Sequence, residues 1–168
     1  MWCSDRRRLL ILGAAALTAG CGFAPVHAPG GGGGAIAGQV AMPVPDSRAE
    51  YLFVRRLEER LGPAPAPRYR LEAPLRVTRD SLGTTPDGRT TRYHYAGTAD
   101  WRLRAADAAP EAPPVAQGRV EAFTGYSATG STLATRAAER DAEARLATLL
   151  ADQLVERLLL AARELPAA

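Results

Sequence analysis

Few residues of this chain have the type and spacing to do chemistry. Its two histidines are far apart: His27 lies in a Pro/Gly-rich stretch and His94 in a run of alternating polar and apolar residues. Neither has a cysteine, a second histidine or an acidic cluster at metal-ligand spacing. Gly125-Tyr126-Ser127-Ala128-Thr129 approaches the G-x-S-x-G nucleophile elbow. Thr129 replaces its last glycine, however, and no histidine follows to act as base. Glu139 and Asp141 are two residues apart, a spacing that on a helix does not bring carboxylates together. There is no P-loop, dinucleotide-binding turn or metal motif. These residues predict a protein that binds and does not catalyse, with no metal and no cofactor.

Covalent chemistry is expected at one position, Cys21. The basic patch Arg6-Arg7-Arg8 is followed by an apolar run from Leu9 to Ala19 and then by Gly20-Cys21. Positive charge, a short apolar stretch and small residues in that order form an export signal. The run is too short to span a bilayer, which takes about 20 apolar residues. Leu17-Thr18-Ala19-Gly20-Cys21 resembles the lipobox of bacterial lipoproteins, with Thr18 where an aliphatic residue is usual. That resemblance implies cleavage before Cys21 and a covalent N-acyl and S-diacylglycerol lipid on it. Gly22, in the place where Asp would signal retention at the inner membrane, implies sorting to the periplasmic leaflet of the outer membrane. Cys3 leaves with the signal, so the mature chain has no internal disulfide and its domain must be held by its core.

Removing residues 1–20 leaves 148, enough for one domain with a substantial core. Loss of Arg6, Arg7, Arg8 and Asp5 lowers the net charge from +3 to about +1. The basic balance is thus mostly that of the signal, and no partner of nucleic acid is expected. All 21 basic residues are arginine. Residues 21–34 end in five glycines, Gly30 to Gly34, and read as a tether of roughly 20 Å span.

The elements of the domain, residues 35–168, follow from periodicity. Ala35 to Val44 reads as a first strand, with Gly38 and Pro43 placing it at an edge. Ser47 and Glu50 form a capping box for a helix that buries Ala49, Phe53, Val54, Leu57 and Leu61 and stops at Gly62-Pro63. Tyr69 to Val77 alternates as a half-buried strand, with Pro74 marking a bulge or an edge. Pro86-Asp87-Gly88 makes a turn. Beyond it Thr91, Tyr93, Tyr95, Gly97, Ala99, Trp101 and Leu103 share one face of a long strand, and Arg92, His94, Thr98, Asp100, Arg102 and Arg104 the other. A fourth strand carries Val120, Ala122, Thr124 and Tyr126. Ser131 to Leu165 reads as a long helix with an apolar arc. Ala142, Leu146, Leu149 and Leu160 fall outside that arc, and the three leucines form a candidate partner surface. The expected fold is α+β: a mostly antiparallel sheet of about four strands with two amphipathic helices on one face, in the order β-α-β-β-β-α.

Three stretches together resemble one family. They are Cys21-Gly22-Phe23-Ala24-Pro25-Val26, the helix segment Pro45 to Leu61, and the set of Thr91 to Leu103, Gly125-Tyr126-Ser127 and Ala138 to Leu158. In order and spacing they are similar to the lipopolysaccharide-assembly lipoprotein LptE of alphaproteobacteria. The resemblance implies an outer-membrane lipoprotein that plugs the lumen of the β-barrel translocon LptD in a one-to-one complex. It also implies contact with lipopolysaccharide through basic residues, for which Arg89 and Arg92, flanking the turn, are the candidates. A barrel lumen is polar, which suits a plug rich in arginine and carboxylate. The competing expectation is a pilotin-like factor for a secretin, or an accessory lipoprotein of an ABC lipid-transport system.

Overall fold

The structure, a computed structural model, describes Gly34 and residues 36–109 and 111–165. In chain order the elements are β1 (Val40–Ala41), α1 (Arg48–Leu61), β2 (Tyr69–Glu72), β3 (Leu75–Thr84), β4 (Thr90–Ala105), β5 (Ala116–Ser127) and α2 (Thr132–Ala161). The cleavage site, Cys21 and the glycine tether lie outside the described residues.

The sheet is built around β4. One of its edges pairs antiparallel with β5, from Arg92↔Ser127 to Leu103↔Ala116. Its other edge is shared end to end: β3 covers Thr90 to Ala99 and β2 covers Arg102 to Ala105, both antiparallel. β2 and β3 are therefore the single strand expected from Tyr69 to Val77, extended to Thr84 and interrupted at Ala73-Pro74. Proline lacks the N–H that a continuous ladder needs at that point. The interruption turns the expected strand order into β-α-β-β-β-β-α without changing the layers. β1 is much shorter than the expected Ala35–Val44 and pairs parallel to β2 at two residues only. Gly38 has a φ of 67°, which turns the chain so that its N–H donates to Leu61 O at 2.7 Å. Pro43 and Pro45 then remove two ladder donors.

Helix α1 starts as its sequence dictates. The Ser47 hydroxyl accepts from Glu50 N, and Glu50 reaches back to accept from Asp46 N at 2.8 Å. Gly62, at φ 78°, closes it with its N–H on Glu58 O. Phe53, Val54, Leu57 and Leu61 are buried. α2 is capped by Ser131, which accepts from Ala134 N. Its 30 residues make a rod of roughly 45 Å.

Both helices cover one face of the sheet, and they run parallel. Arg48, at the start of α1, pairs with Glu143 of α2, while Arg56 and Arg60, near its end, both pair with Asp152. The two guanidinium bonds from Arg56 to Asp152 measure 3.0 and 3.1 Å, and that from Arg60 2.9 Å. α2 is consequently flanked by α1 on one side and laid on β4 and β5 beneath. It buries a wider arc than a helix on one layer would. Ala142 and Leu146, expected on its exposed side, are buried at 0% and 1% exposure. Leu146 is thereby corrected from partner surface to core, because it lies directly over the sheet beside Leu150.

Helix and sheet approach closely at Gly97 of β4. A Cβ there would lie 2.8 Å from Leu150 Cδ1 and 3.1 Å from Leu146 Cδ2. The missing side chain lets α2 sit down on the sheet, and Ala99, Leu154, Leu158 and Leu103 continue the seam as fully buried residues. Gly97→Ala is expected to force both leucines aside and to cost about 1–3 kcal/mol, the range of core overpacking. Leu150→Ala, which opens a cavity at the same spot, should cost about 2–5 kcal/mol. Urea unfolding of the two variants beside the unsubstituted protein measures both. Equal stability of all three would show that this seam does not hold the helix.

Candidate functional site

The candidate site residues sort into three places. The β3–β4 turn is the first. Thr85 N donates to Arg89 O at 2.9 Å, Gly88 N donates to Thr85 O at 2.9 Å, and Gly88 adopts φ 82°. Pro86-Asp87-Gly88 thus form the expected turn. Arg89 stands 81% exposed on it, with Nε donating to Asp87 at 2.9 Å and its terminal nitrogens pointing outward. The Asp87 carboxyl is held below its ordinary range, first by the Thr85 hydroxyl and also by its own backbone N–H and by Arg89. Arg92 projects from the helix-free face of β4, opposite Ser127, and has no ion-pair partner among the described residues. The structure places these two arginines at one end of the sheet, on a rigid turn and the strand leaving it.

The second place is beneath the N-terminal half of α2, next to that end. Arg79 of β3, Tyr95 of β4, Tyr126 of β5 and Glu139 of α2 converge there. Register puts Arg79 directly across from Tyr95 and Tyr95 across from Thr124, so Arg79 and Tyr95 both point toward the helix. Glu139 Oε1 accepts from Tyr95 Oη at 2.9 Å and from Arg79 Nη1 at 2.7 Å. Arg79 also lies over the Tyr93 ring at 4.9 Å, and Tyr93 stacks on Tyr126 with centroids 5.1 Å apart. Where the apolar seam runs out, one carboxylate thus ties two strands, β3 and β4, to the helix. This cluster was not among the sequence candidates. Its signal was the inward parity of three tyrosines, since a buried phenol needs a partner. The partner, Glu139, is remote in sequence and carries no mark of its role.

The third place is the helix-free face. Arg76, Asp100 and Arg119 come from three adjacent strands, and Asp100 accepts from Arg119 at 2.6 Å and from Arg76 at 2.7 Å. The Arg119 bond, with that of Arg76, holds the Asp100 carboxyl below its usual range. Glu72 and Arg104 form a further pair at 3.3 Å. Arg102, exposed on the same face, adds another cation to a groove of about 670 Å³. His94 leans on Phe123 at 5.3 Å and belongs to no metal-ligand cluster among the described residues. On α2, Leu149 and Leu160 remain exposed at 45% and 53%, so two of the three surface leucines stay where they were expected.

The fold is thus a half-covered sheet with charged groups spread over its bare face and arginines at one tip. The chain belongs to the LptE family, described as Lipopolysaccharide-assembly, whose match spans residues 37–158. Solved structures share the fold at low identity. A Caulobacter crescentus protein described as a lipoprotein has a TM-score of 0.63 at 19% identity, covering 79% of this chain and 96% of its own. The rare lipoprotein B of Shewanella oneidensis gives 0.52 at 15%, covering 75% and 94%. A minor lipoprotein of Acinetobacter baumannii gives 0.53 at 15%, covering 77% and 93%. No curated relative matches the chain. No helix among the described residues is long and apolar enough to cross a membrane.

The tyrosine–glutamate contact has a pH signature. Burial, and then the hydrogen bond and charge of Glu139, push the Tyr95 phenol up to about 12. Burial also raises Tyr126. A raised folded-state value favours the neutral phenol. The stability this contributes is fully present below the unfolded value of 10.0 and is lost as pH rises through about 12. Absorbance titration of phenolate should therefore show a late component near pH 12 that disappears in Tyr95→Phe. A titration unchanged by that substitution would remove Tyr95 from the contact.

Proposed function

We propose that this protein is an outer-membrane lipoprotein, anchored through lipid on Cys21, that docks in the lumen of an LptD-like β-barrel and assists lipopolysaccharide assembly at the cell surface. The observation that carries the reading is the family match over 37–158. The distribution of charge supports it. A barrel lumen is lined by polar side chains and water. On the bare face of the sheet Arg76, Asp100, Arg119, Glu72 and Arg104 stand in mutual ion pairs, so these groups enter such a lumen already partnered. Leu149 and Leu160 offer apolar contacts on the flank of α2.

In this reading Arg89 and Arg92 meet the phosphates of lipopolysaccharide. Guanidinium forks bind phosphate bidentately, and the terminal nitrogens of the exposed Arg89, like Arg92, have no hydrogen-bond partner among the described residues. The turn that carries them is stiffened by its own hydrogen bonds, so little order is lost on binding.

Extraction of the tagged protein from membranes in detergent, with mass spectrometry of what accompanies it, tests the partner. A large β-barrel protein in near-equal amount is expected, and a secretin, an ABC component or no partner would refute the assignment. Cys21→Ser should move the protein from the membrane to the soluble fraction. Arg89→Ala with Arg92→Ala should weaken lipopolysaccharide binding on the order of tenfold or more, from the loss of charge-assisted hydrogen bonds. Undiminished binding by that double variant would release both arginines from the role.

A further inference from the structure

The outer edge of β5 is the longest regular strand edge left open among the described residues. It runs from Ala116 to Ser127 with no register break, whereas the open edge of β3 is bounded by Pro74 and disturbed by a bulge at Leu82. Which backbone groups face outward follows from the ladder. Ala128 N donates to Thr91 O, so the even-numbered residues of β5 bond to β4 and the odd-numbered ones point away. Arg145 of α2 confirms the parity: its Nη2 reaches over the edge to Gly125 O at 3.2 Å. The open N–H and C=O groups are therefore those of Gln117, Arg119, Glu121 and Phe123, together with the Gly125 N–H, since the Gly125 C=O already accepts from Arg145. Their side chains stand on the helix-free face, and Phe123 is 71% exposed there.

Such an edge is a template for another strand. We infer that it pairs with itself: two copies of this chain associate through antiparallel β5 edges about a two-fold axis at Val120. The charge pattern selects this register. With Val120 opposite Val120, Arg119 of each copy lies directly across from Glu121 of the other, as a hydrogen-bonded pair, and Gln117 lies across from Phe123. Shifting to the neighbouring bonded registers sets Arg119 against Arg119 or Glu121 against Glu121, which is unfavourable. Self-pairing about one residue thus neutralises the charges that would repel a strand in the adjacent registers.

The helix layer matches. Arg145 places its side of α2 above the β5 edge, and Leu149 is one turn further along that side. Leu160, three turns beyond Leu149, returns to the same side. Gly97, across from Ala122, lies under Leu146 and Leu150, so the level of Val120 on α2 falls between Leu149 and Leu160. The two-fold axis then brings Leu149 of each copy toward Leu160 of the other. One isologous contact closes both the open strand and the exposed leucines. The dimer covers Leu149 and Leu160, so it is a state of the chain outside the barrel that gives way on docking; its test needs neither the barrel nor lipopolysaccharide and is separate from that of the proposed function.

Sedimentation velocity on the full chain, extracted in detergent and freed of other proteins, should show a dimer at micromolar concentration. Glu121→Arg places two like-charge pairs in the interface and should weaken association by roughly tenfold or more. Glu121 is an exposed side chain, and an unchanged melting curve establishes that this variant is folded. The register is read by mixing Arg119→Cys protein with Glu121→Cys protein under mild oxidation. Bonded antiparallel pairs hold their Cα atoms at about 5.5 Å, within disulfide range. The mixture should cross-link above the level of the unsubstituted protein, and neither variant should do so alone. A monomeric unsubstituted chain overturns the inference. So does a dimer that Glu121→Arg leaves intact, or one in which the mixed cysteines do not join.

Discussion

Strand β4 is hydrogen-bonded along both edges, and the rest of the domain is arranged by how those edges are filled. One edge takes β5 whole. The other has to be filled by a segment that arrives from α1, and Ala73-Pro74 divides that segment into two collinear strands. β2, held at the end of β4 near Ala105, then has a free side that receives β1 in parallel, with α1 as the crossover. The helices follow from this. α1 must return alongside the sheet between β1 and β2, and α2 must cross back over β5. Both therefore travel in the same direction and present carboxylates and guanidinium groups to each other.

Parallel helices of this kind do not get the favourable head-to-tail alignment of their dipoles, so their contact depends on side chains. Phe53 and Leu57 of α1 and Ala151 and Val155 of α2 are buried in the one apolar core that both helices share. Arg48, Arg56 and Arg60 with Glu143 and Asp152 fix the axial position. Exposed ion pairs individually contribute about 0–1 kcal/mol. Their value here is in register: Asp152 receives two guanidinium groups from successive turns of α1, and sliding either helix by a turn would leave one of them unmatched. At the other end of α2, Glu139 does the same against the sheet by taking bonds from both β3 and β4.

Local patterns made most of the architecture legible. The Ser47–Glu50 box, the Gly62 stop, the alternation from Thr91 to Leu103 and the Pro86-Asp87-Gly88 turn each depend on neighbours in sequence, and each is found where the residues indicate. The departures have a common cause, which is the presence of a second packing partner. Leu146 and Ala142 look exposed on a helix assumed to bury one stripe, but α2 meets both the sheet and α1. Val77, inward by alternation, is 38% exposed because it lies beyond the helices' cover. β1 is short because Gly38 is required to bond Leu61, a contact no periodicity reveals. Of the site, Arg89 and Arg92 could be singled out from a turn and a family resemblance. The Arg79–Tyr95–Glu139 cluster joins residues from three elements, and nothing local links them.

The span of β4 sets a scale for the whole molecule. Its 16 residues extend roughly 50 Å between the β3–β4 turn and the end where Gly38 meets Leu61 and Ala106 meets Arg68. The described chain enters the fold at that latter end, with Ile36 already buried. The point where the described chain enters the fold is thus separated from Arg89 by a stiff arm longer than the hydrocarbon thickness of a bilayer, about 30 Å. A domain tethered at one leaflet and standing upright would present its arginine tip at the level of the opposite one.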